Sequence, residues 1–141
     1  MPPERGERVS TKILVIEDNS YNLELVTDLL EASGFSVTHA RTAEEGLRLA
    51  RASAPELILM DLSLPGMDGL AATRTLKADP ATSHLIVIAL TAHAMKGDRD
   101  IALQAGCDGY LVKPIDTRTF ATKISGYLAS VRTRRTAQRA A

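Results

Sequence analysis

The sequence predicts an α/β fold, a doubly wound parallel sheet built from five strand–helix units with helices on both faces. Two observations carry this. Leu57 to Met60 and Leu85 to Leu90 are apolar runs without a polar break, closed by Asp61 and Thr91 respectively. Such runs, bounded by turn signals, read as strands buried on both faces, as in a parallel sheet. Strand and helix patterns also alternate five times with connections of a few residues, which predicts βαβ crossovers.

Each element follows in order. Lys12 to Ile16 reads as a buried strand ending at Glu17-Asp18. Asn19 or Ser20 caps a helix whose Leu23, Val26 and Leu30 recur at helical spacing up to Gly34. Phe35 to Ala40 alternates as a short strand, and Thr42-Ala43-Glu44-Glu45 is a capping box opening a helix that turns Leu47 and Ala50 inward. After the central strand and the Pro65-Gly66 turn, Asp68 caps a helix carrying Leu70, Thr73 and Leu76. The Leu85–Leu90 strand is followed by a polar loop and a short helix around Ile101 and Ala102, which stops at Gly106. Tyr110 to Val112 is the last strand. Asp116 then starts a helix with Phe120, Ile124, Tyr127, Leu128 and Val131 on one face.

A chain of 141 residues favours one domain with a real core. Its expected organisation is a flexible arm over residues 1–11, a domain over 12–131 and a basic tail over 132–141. Seventeen basic and seventeen acidic residues cancel, so no overall field draws nucleic acid or a membrane surface. No apolar run is long enough to span a bilayer, and the apolar residues Ile13 to Ile16 are too few for a signal segment. A single cysteine, Cys107, excludes an internal disulfide framework. These features predict a cytoplasmic protein.

In the doubly wound order 2-1-3-4-5, strands 1, 3, 4 and 5 are neighbours, and their ends carry Glu17-Asp18, Asp61, Thr91 and Lys113. Ligands of open α/β sheets bind outside these carboxyl ends. Three carboxylates at close range repel and need a counter-charge, which a hard divalent cation, most simply Mg²⁺, would supply. Lys113 can pair with Asp61 or with an anion bound there, and Thr91 can donate a hydroxyl hydrogen bond to that anion. These parts suit phosphoryl transfer to a carboxylate nucleophile.

Four segments then stand out: Ile16-Glu17-Asp18-Asn19, the run from Leu59 to Gly69, Ala89-Leu90-Thr91-Ala92, and Tyr110-Leu111-Val112-Lys113-Pro114. Each is weak alone. Together, in this order and at the right strand ends, they resemble receiver domains of two-component response regulators, over nearly everything from Lys12 to about Val131. One member of that family is a standard example of the flavodoxin-like order 2-1-3-4-5, so the order is taken from the resemblance. The resemblance implies Asp61 as phosphoacceptor, with a phosphohistidine on a histidine kinase or histidine phosphotransfer protein as donor. It implies Glu17 and Asp18 as the acidic pair around Mg²⁺, with Asp61 and the backbone carbonyl of Ser63 as further ligands. It implies Thr91 and Lys113 as catalytic partners of Asp61; Thr91 and Tyr110 match the switch pair, and Lys113-Pro114 matches a lysine followed by a cis proline.

The longer run Ala89 to Asp98 is similar to receivers of hybrid histidine kinases and of single-domain cell-cycle regulators. Glu17 stands where many members have Asp. Ser63 and His93 occupy variable positions, expected to tune dephosphorylation and partner contact. The family role is that of a signalling switch, an enzyme only towards its own Mg²⁺-dependent phosphoryl transfer and dephosphorylation. The signal is expected to leave through a downstream protein bound on the face of the fourth helix, fifth strand and fifth helix. The terminal arms are read as those of a complete small protein, although a receiver excised from a hybrid kinase would look similar.

Plainer readings stand beside these. Asp61 could be a turn carboxylate bonded to the Pro65-Gly66 loop, and Glu17-Asp18 could simply favour a helix N-terminus. Thr91 could be a cap, Lys113 a solvated charge and Tyr110 a core aromatic. His39, His84 and His93 lack metal-ligand spacing. Cys107 reads as a small buried residue, and the arginines from Arg132 onward as a solvated helix end. A phosphorylation-independent binding module would fit a site with one part missing, and none is missing. An aspartyl-phosphate phosphatase would want a general acid two residues after Asp61, where Ser63 stands. A nucleotide-binding role would want a Gly-rich first turn in place of Glu17-Asp18-Asn19.

Overall fold

The computed structural model describes residues 10–63, 68–92 and 97–140, with side chains up to residue 138. The first nine residues of the expected arm, the Pro65-Gly66 turn and His93 lie outside the described residues. The elements are β1 (Lys12–Ile16), α1 (Ser20–Ala32), β2 (Ser36–Ala40), α2 (Ala43–Ala52), β3 (Leu57–Asp61), α3 (Gly69–Ala78), β4 (Ile86–Thr91), α4 (Asp98–Ala105), β5 (Gly109–Val112) and α5 (Phe120–Ala140). All strand pairs are parallel, in the order β2-β1-β3-β4-β5. This is the doubly wound flavodoxin-like sheet.

The helices begin where short polar side chains replace a missing backbone acceptor. The Asn19 side chain accepts from the Asn22 N–H (2.9 Å), Thr42 from Glu45 (3.1 Å) and Asp68 from Ala71 (2.7 Å). Glu45 reaches back to the N–H of Arg41 (3.2 Å), one residue beyond the Thr42 N–H that an ideal capping box would engage. α4 ends at Gly106, whose φ of +111° a side-chain-bearing residue rarely adopts. α5 starts later than the Asp116 expected from the sequence. Asp116 accepts from Arg118 N through its side chain and from Phe120 N through its carbonyl, so residues 117–119 form a turn that leads into the helix.

Two apolar layers enclose the sheet. One face packs Leu14, Ile16, Ile58, Met60, Val87 and Ala89 under α2, α3 and α4. The other packs Ile13, Val15, Leu57, Leu59, Ile86, Ile88 and Leu90 under α1 and α5, with Phe120, Ile124, Leu128 and Val131 as the stripe from α5. Every residue of β3 and β4 is buried, which is why these strands carry no alternation. Truncating one of these Ile or Leu side chains to Ala costs roughly 2–5 kcal/mol.

Below the sheet, Thr11 is not part of a loose arm. Its carbonyl accepts from Ser36 N (2.9 Å), and its hydroxyl meets Arg132 (3.3 Å). Arg132 forms a two-nitrogen pair with Glu56, and Arg135 donates to the His84 carbonyl. The helix continues to Ala140, so these two arginines of the basic tail bind the chain's own surface. Among the described residues no helix is long and apolar enough to cross a membrane.

Candidate functional site

The parallel register brings the ends of β1, β3, β4 and β5 to one edge, with Asp61 opposite Leu90 and Thr91 opposite Val112. Glu17 follows β1 and is fully buried. Asp61 ends β3 at 2% exposure, Thr91 ends β4 at 4%, and Asp18 is exposed. One carboxylate oxygen from each of Glu17, Asp18 and Asp61 lies within 4.8 Å of the others, among the described residues the one such cluster.

Lys113, next after β5, supplies the counter-charge. Its Nζ lies 2.9 Å from Glu17 Oε1 and 3.3 Å from Asp61 Oδ2. The remaining oxygens meet backbone donors. Asn19 N–H donates to Glu17 Oε2 (3.1 Å), and Ser63 N–H donates to Asp61 Oδ1 (2.9 Å). Burial raises the Glu17 carboxyl above the ordinary carboxylate range, with Asp61 adding to the effect and Lys113 and the Asn19 N–H opposing it. For Lys113 burial is the largest single influence and pulls the ammonium down. The combined pull of Glu17 and Asp61 outweighs it, and the net direction is upward.

The Lys113–Glu17 contact is short but lies off hydrogen-bond direction. Glu17 Oε1 is therefore a buried oxygen without a well-aimed donor. Three carboxylates, one of them accessible, form the hard oxygen set that Mg²⁺ takes while retaining several waters. These residues fit that ion.

The sequence-expected residues thus sit together: Glu17, Asp18 and Asp61 in one cluster, Lys113 paired with Glu17 and Asp61, and Thr91 at the end of the adjoining strand. Ser63 is exposed two residues beyond Asp61, its N–H already engaged. Tyr110 lies on β5, half-buried against the α2–α4 side of the sheet. Partial burial raises its phenol, and the charge of Asp98 adds to the effect. The Lys113–Pro114 bond is cis. Cys107 is buried beside the Thr73 hydroxyl (3.8 Å), and burial pushes its thiol up.

Two contributors escaped the sequence reading. Gly69, the first residue of α3, lies so close to β3 that a Cβ there would sit 2.5 Å from the Asp61 carbonyl oxygen and 2.9 Å from Leu62 Cα. Only glycine lets α3 start directly over the end of β3. The Asp68-Gly69 pair was the available signal, but its reason is a contact across the turn that spacing alone does not disclose. Arg41 is the second. Its guanidinium donates to the Asp18 backbone carbonyl (3.2 Å), tying the acidic loop to the start of α2.

A model of the response regulator receiver domain matches residues 13–125. The chain is 44% identical over 120 residues to the polar-differentiation response regulator DivK of Brucella ovis, covering 85% of this chain and 98% of that protein. Against the Brucella anthropi DivK the identity is 46% over 116 residues, covering 82% and 94%. Among solved structures, a response regulator from Chloroflexus aurantiacus superimposes with a TM-score of 0.81 at 26% identity, covering 86% of this chain and 99% of that one. The receiver domain of a sensor histidine kinase from Pseudomonas aeruginosa, crystallised with magnesium coordinated in its active site cleft, gives 0.78 at 34% identity, covering 86% and 99%. Sheet order, strand-end acids and these likenesses agree: the chain belongs to the response regulator receiver domain family of two-component systems.

Proposed function

We propose that this receiver accepts a phosphoryl group on Asp61 and converts it into a change of protein-binding surface. The observation that carries the reading is the setting of Asp61: buried at the mouth of the sheet, one oxygen 3.3 Å from Lys113, inside a cluster of three carboxylates. A turn carboxylate needs none of this. Asp61 attacks phosphorus as the nucleophile, an O–P bond forms, and the N–P bond of the donor phosphohistidine breaks. The imidazole leaves with the electron pair and takes up a proton. Glu17, Asp18, Asp61 and the Ser63 backbone carbonyl would hold Mg²⁺, which supplies neutralisation of the phosphoryl oxygens when bound. Lys113 pairs with the same oxygens, and the Thr91 hydroxyl donates to one of them.

Thr91 drawn towards the phosphoryl group leaves space for Tyr110, and the surface of α4, β5 and α5 is remodelled as a result. The donor is a histidine kinase or histidine phosphotransfer protein, and a downstream protein reads the α4–β5–α5 face, in the cytoplasm. The Mg²⁺ fit is supported by the three clustered carboxylates, of which Asp18 is accessible. Apart from promoting its own phosphorylation and dephosphorylation, the chain acts as a switch and not as an enzyme.

Transfer from a donor tests this. An autophosphorylated histidine kinase or phosphotransfer protein carrying radiophosphate should pass label to the chain, and base or hydroxylamine should release it, as for an acyl phosphate. Label stable to both reagents, or equal labelling of Asp61→Asn, would contradict the assignment.

A further inference from the structure

Tyr127 of α5 makes a contact that the site chemistry does not call for. Its hydroxyl accepts from the Tyr110 N–H (3.4 Å) and donates to the Tyr110 carbonyl (3.3 Å), so one side chain engages both backbone groups of one residue. β5 is an edge strand, and these are groups that an edge leaves unpaired. The approach depends on Gly109, where a Cβ would stand 2.4 Å from Tyr127 Cε1 and 2.6 Å from Cζ. The absence of a side chain at 109 lets the ring cross the strand and deliver its hydroxyl one residue further on.

We infer that the Tyr127 hydroxyl is a positioning group for the switch, clamping the Tyr110 backbone so that changes at this position are confined to the Tyr110 side chain. The inference rests on the proposed role of Tyr110. Two features support it. Both backbone groups of Tyr110 are engaged by a single atom on a different element, which resists displacement of the residue as well as fraying of the edge. α5 is anchored independently by the buried Phe120, Ile124, Leu128 and Val131, so the clamp has a fixed base.

Tyr127→Phe keeps the ring against Gly109 and removes only the hydroxyl, so a purely packing role would survive it. NMR on the full chain should show the Tyr110 amide exchanging about tenfold faster or more in Tyr127→Phe than in wild type, the scale expected from losing its hydrogen bond. Mg²⁺ with beryllium trifluoride, a stand-in for a carboxylate-bound phosphoryl group, should shift Tyr110 side-chain signals in wild type while its amide stays protected. In Tyr127→Phe the same addition should also displace the Tyr110 backbone signals. Equal amide exchange in the two proteins would overturn the clamp. A protected amide with no side-chain response to beryllium trifluoride in wild type would overturn the switch role of Tyr110 while leaving the hydrogen bonds intact, so the two failures are distinguishable.

Discussion

Lys113 stands between Glu17 and Asp61, its Nζ 2.9 Å from one carboxylate and 3.3 Å from the other. A single ammonium thus serves two buried acids, and only the third acid of the cluster, Asp18, reaches solvent. Removing one member of a buried ionic group leaves an uncompensated charge, which is more damaging than losing a surface pair. Lys113→Met should therefore destabilise the metal-free protein by about 3 kcal/mol. Added Mg²⁺ should recover part of that loss, because it supplies the missing positive charge. Urea unfolding with and without Mg²⁺ checks both statements. A loss below about 0.5 kcal/mol would mean that Lys113 behaves as a surface lysine.

Mg²⁺ itself should raise the unfolding temperature of the wild type. Saturation at a hundredfold over the dissociation constant corresponds to about 2.7 kcal/mol, and EDTA should reverse it. Asp18→Asn separates binding from folding. Asp18 is exposed, so its loss should change metal-free stability by no more than about 0.5 kcal/mol while abolishing most of the Mg²⁺ response. Thermal scans of the two proteins across a Mg²⁺ titration decide this, and an unchanged response in Asp18→Asn would remove it from the ligand set.

Gly69→Ala tests the close approach of α3 to β3. The added methyl would meet backbone on both counts, the Asp61 carbonyl and Leu62 Cα, and neither can rotate away. The helix must shift, at a cost of about 1–3 kcal/mol, and the Asp61 end of β3 shifts with it. Stability should fall, and phosphorylation by a small-molecule donor should slow at a temperature where the variant is still folded. A fully stable, fully reactive variant would show that the turn absorbs the methyl group.

Beneath the sheet, the hydrogen bond from Arg132 holds the Glu56 carboxyl below its usual range. A carboxyl depressed in the folded state binds its proton less readily than in the unfolded chain. Its contribution is present above the ordinary carboxylate range and is lost as pH falls through the lower, folded value. Stability of the wild type should decline across that acid window, and Arg132→Ala should flatten the decline while lowering stability at neutral pH. Urea midpoints measured from neutral to acid pH provide the check; parallel curves for the two proteins would show that the pair contributes nothing.

Much of this molecule was legible in its sequence, for identifiable reasons. β3 and β4 announce themselves because both faces are covered and no polar residue interrupts them. Asp61 stood out because it terminates such a run, and a carboxylate there is costly without partners. The partner oxygens are another matter. That Lys113 lies closer to Glu17 than to Asp61 is a contact between strands β5, β1 and β3, which no spacing along the chain encodes. Gly69 and Gly109 were similarly opaque, since each is defined by an atom from another element entering the space of a missing Cβ. The start of α5 was misplaced because Asp116 has the chemistry of a cap and uses it to form the three-residue turn that precedes the helix. The arginines of the tail read as solvated charges, yet Arg132 and Arg135 meet Glu56 and the His84 carbonyl from far along the chain.

The central claim, that Asp61 is a metal-dependent phosphoacceptor, is tested most directly by intact mass spectrometry. Wild type and Asp61→Asn are each incubated with a small-molecule phosphodonor in Mg²⁺ and again in EDTA. The account predicts one added phosphoryl group on the wild type in Mg²⁺, none in EDTA, and none on Asp61→Asn under either condition. No adduct on a folded wild type with demonstrated Mg²⁺ binding, or an equal adduct on Asp61→Asn, would contradict it.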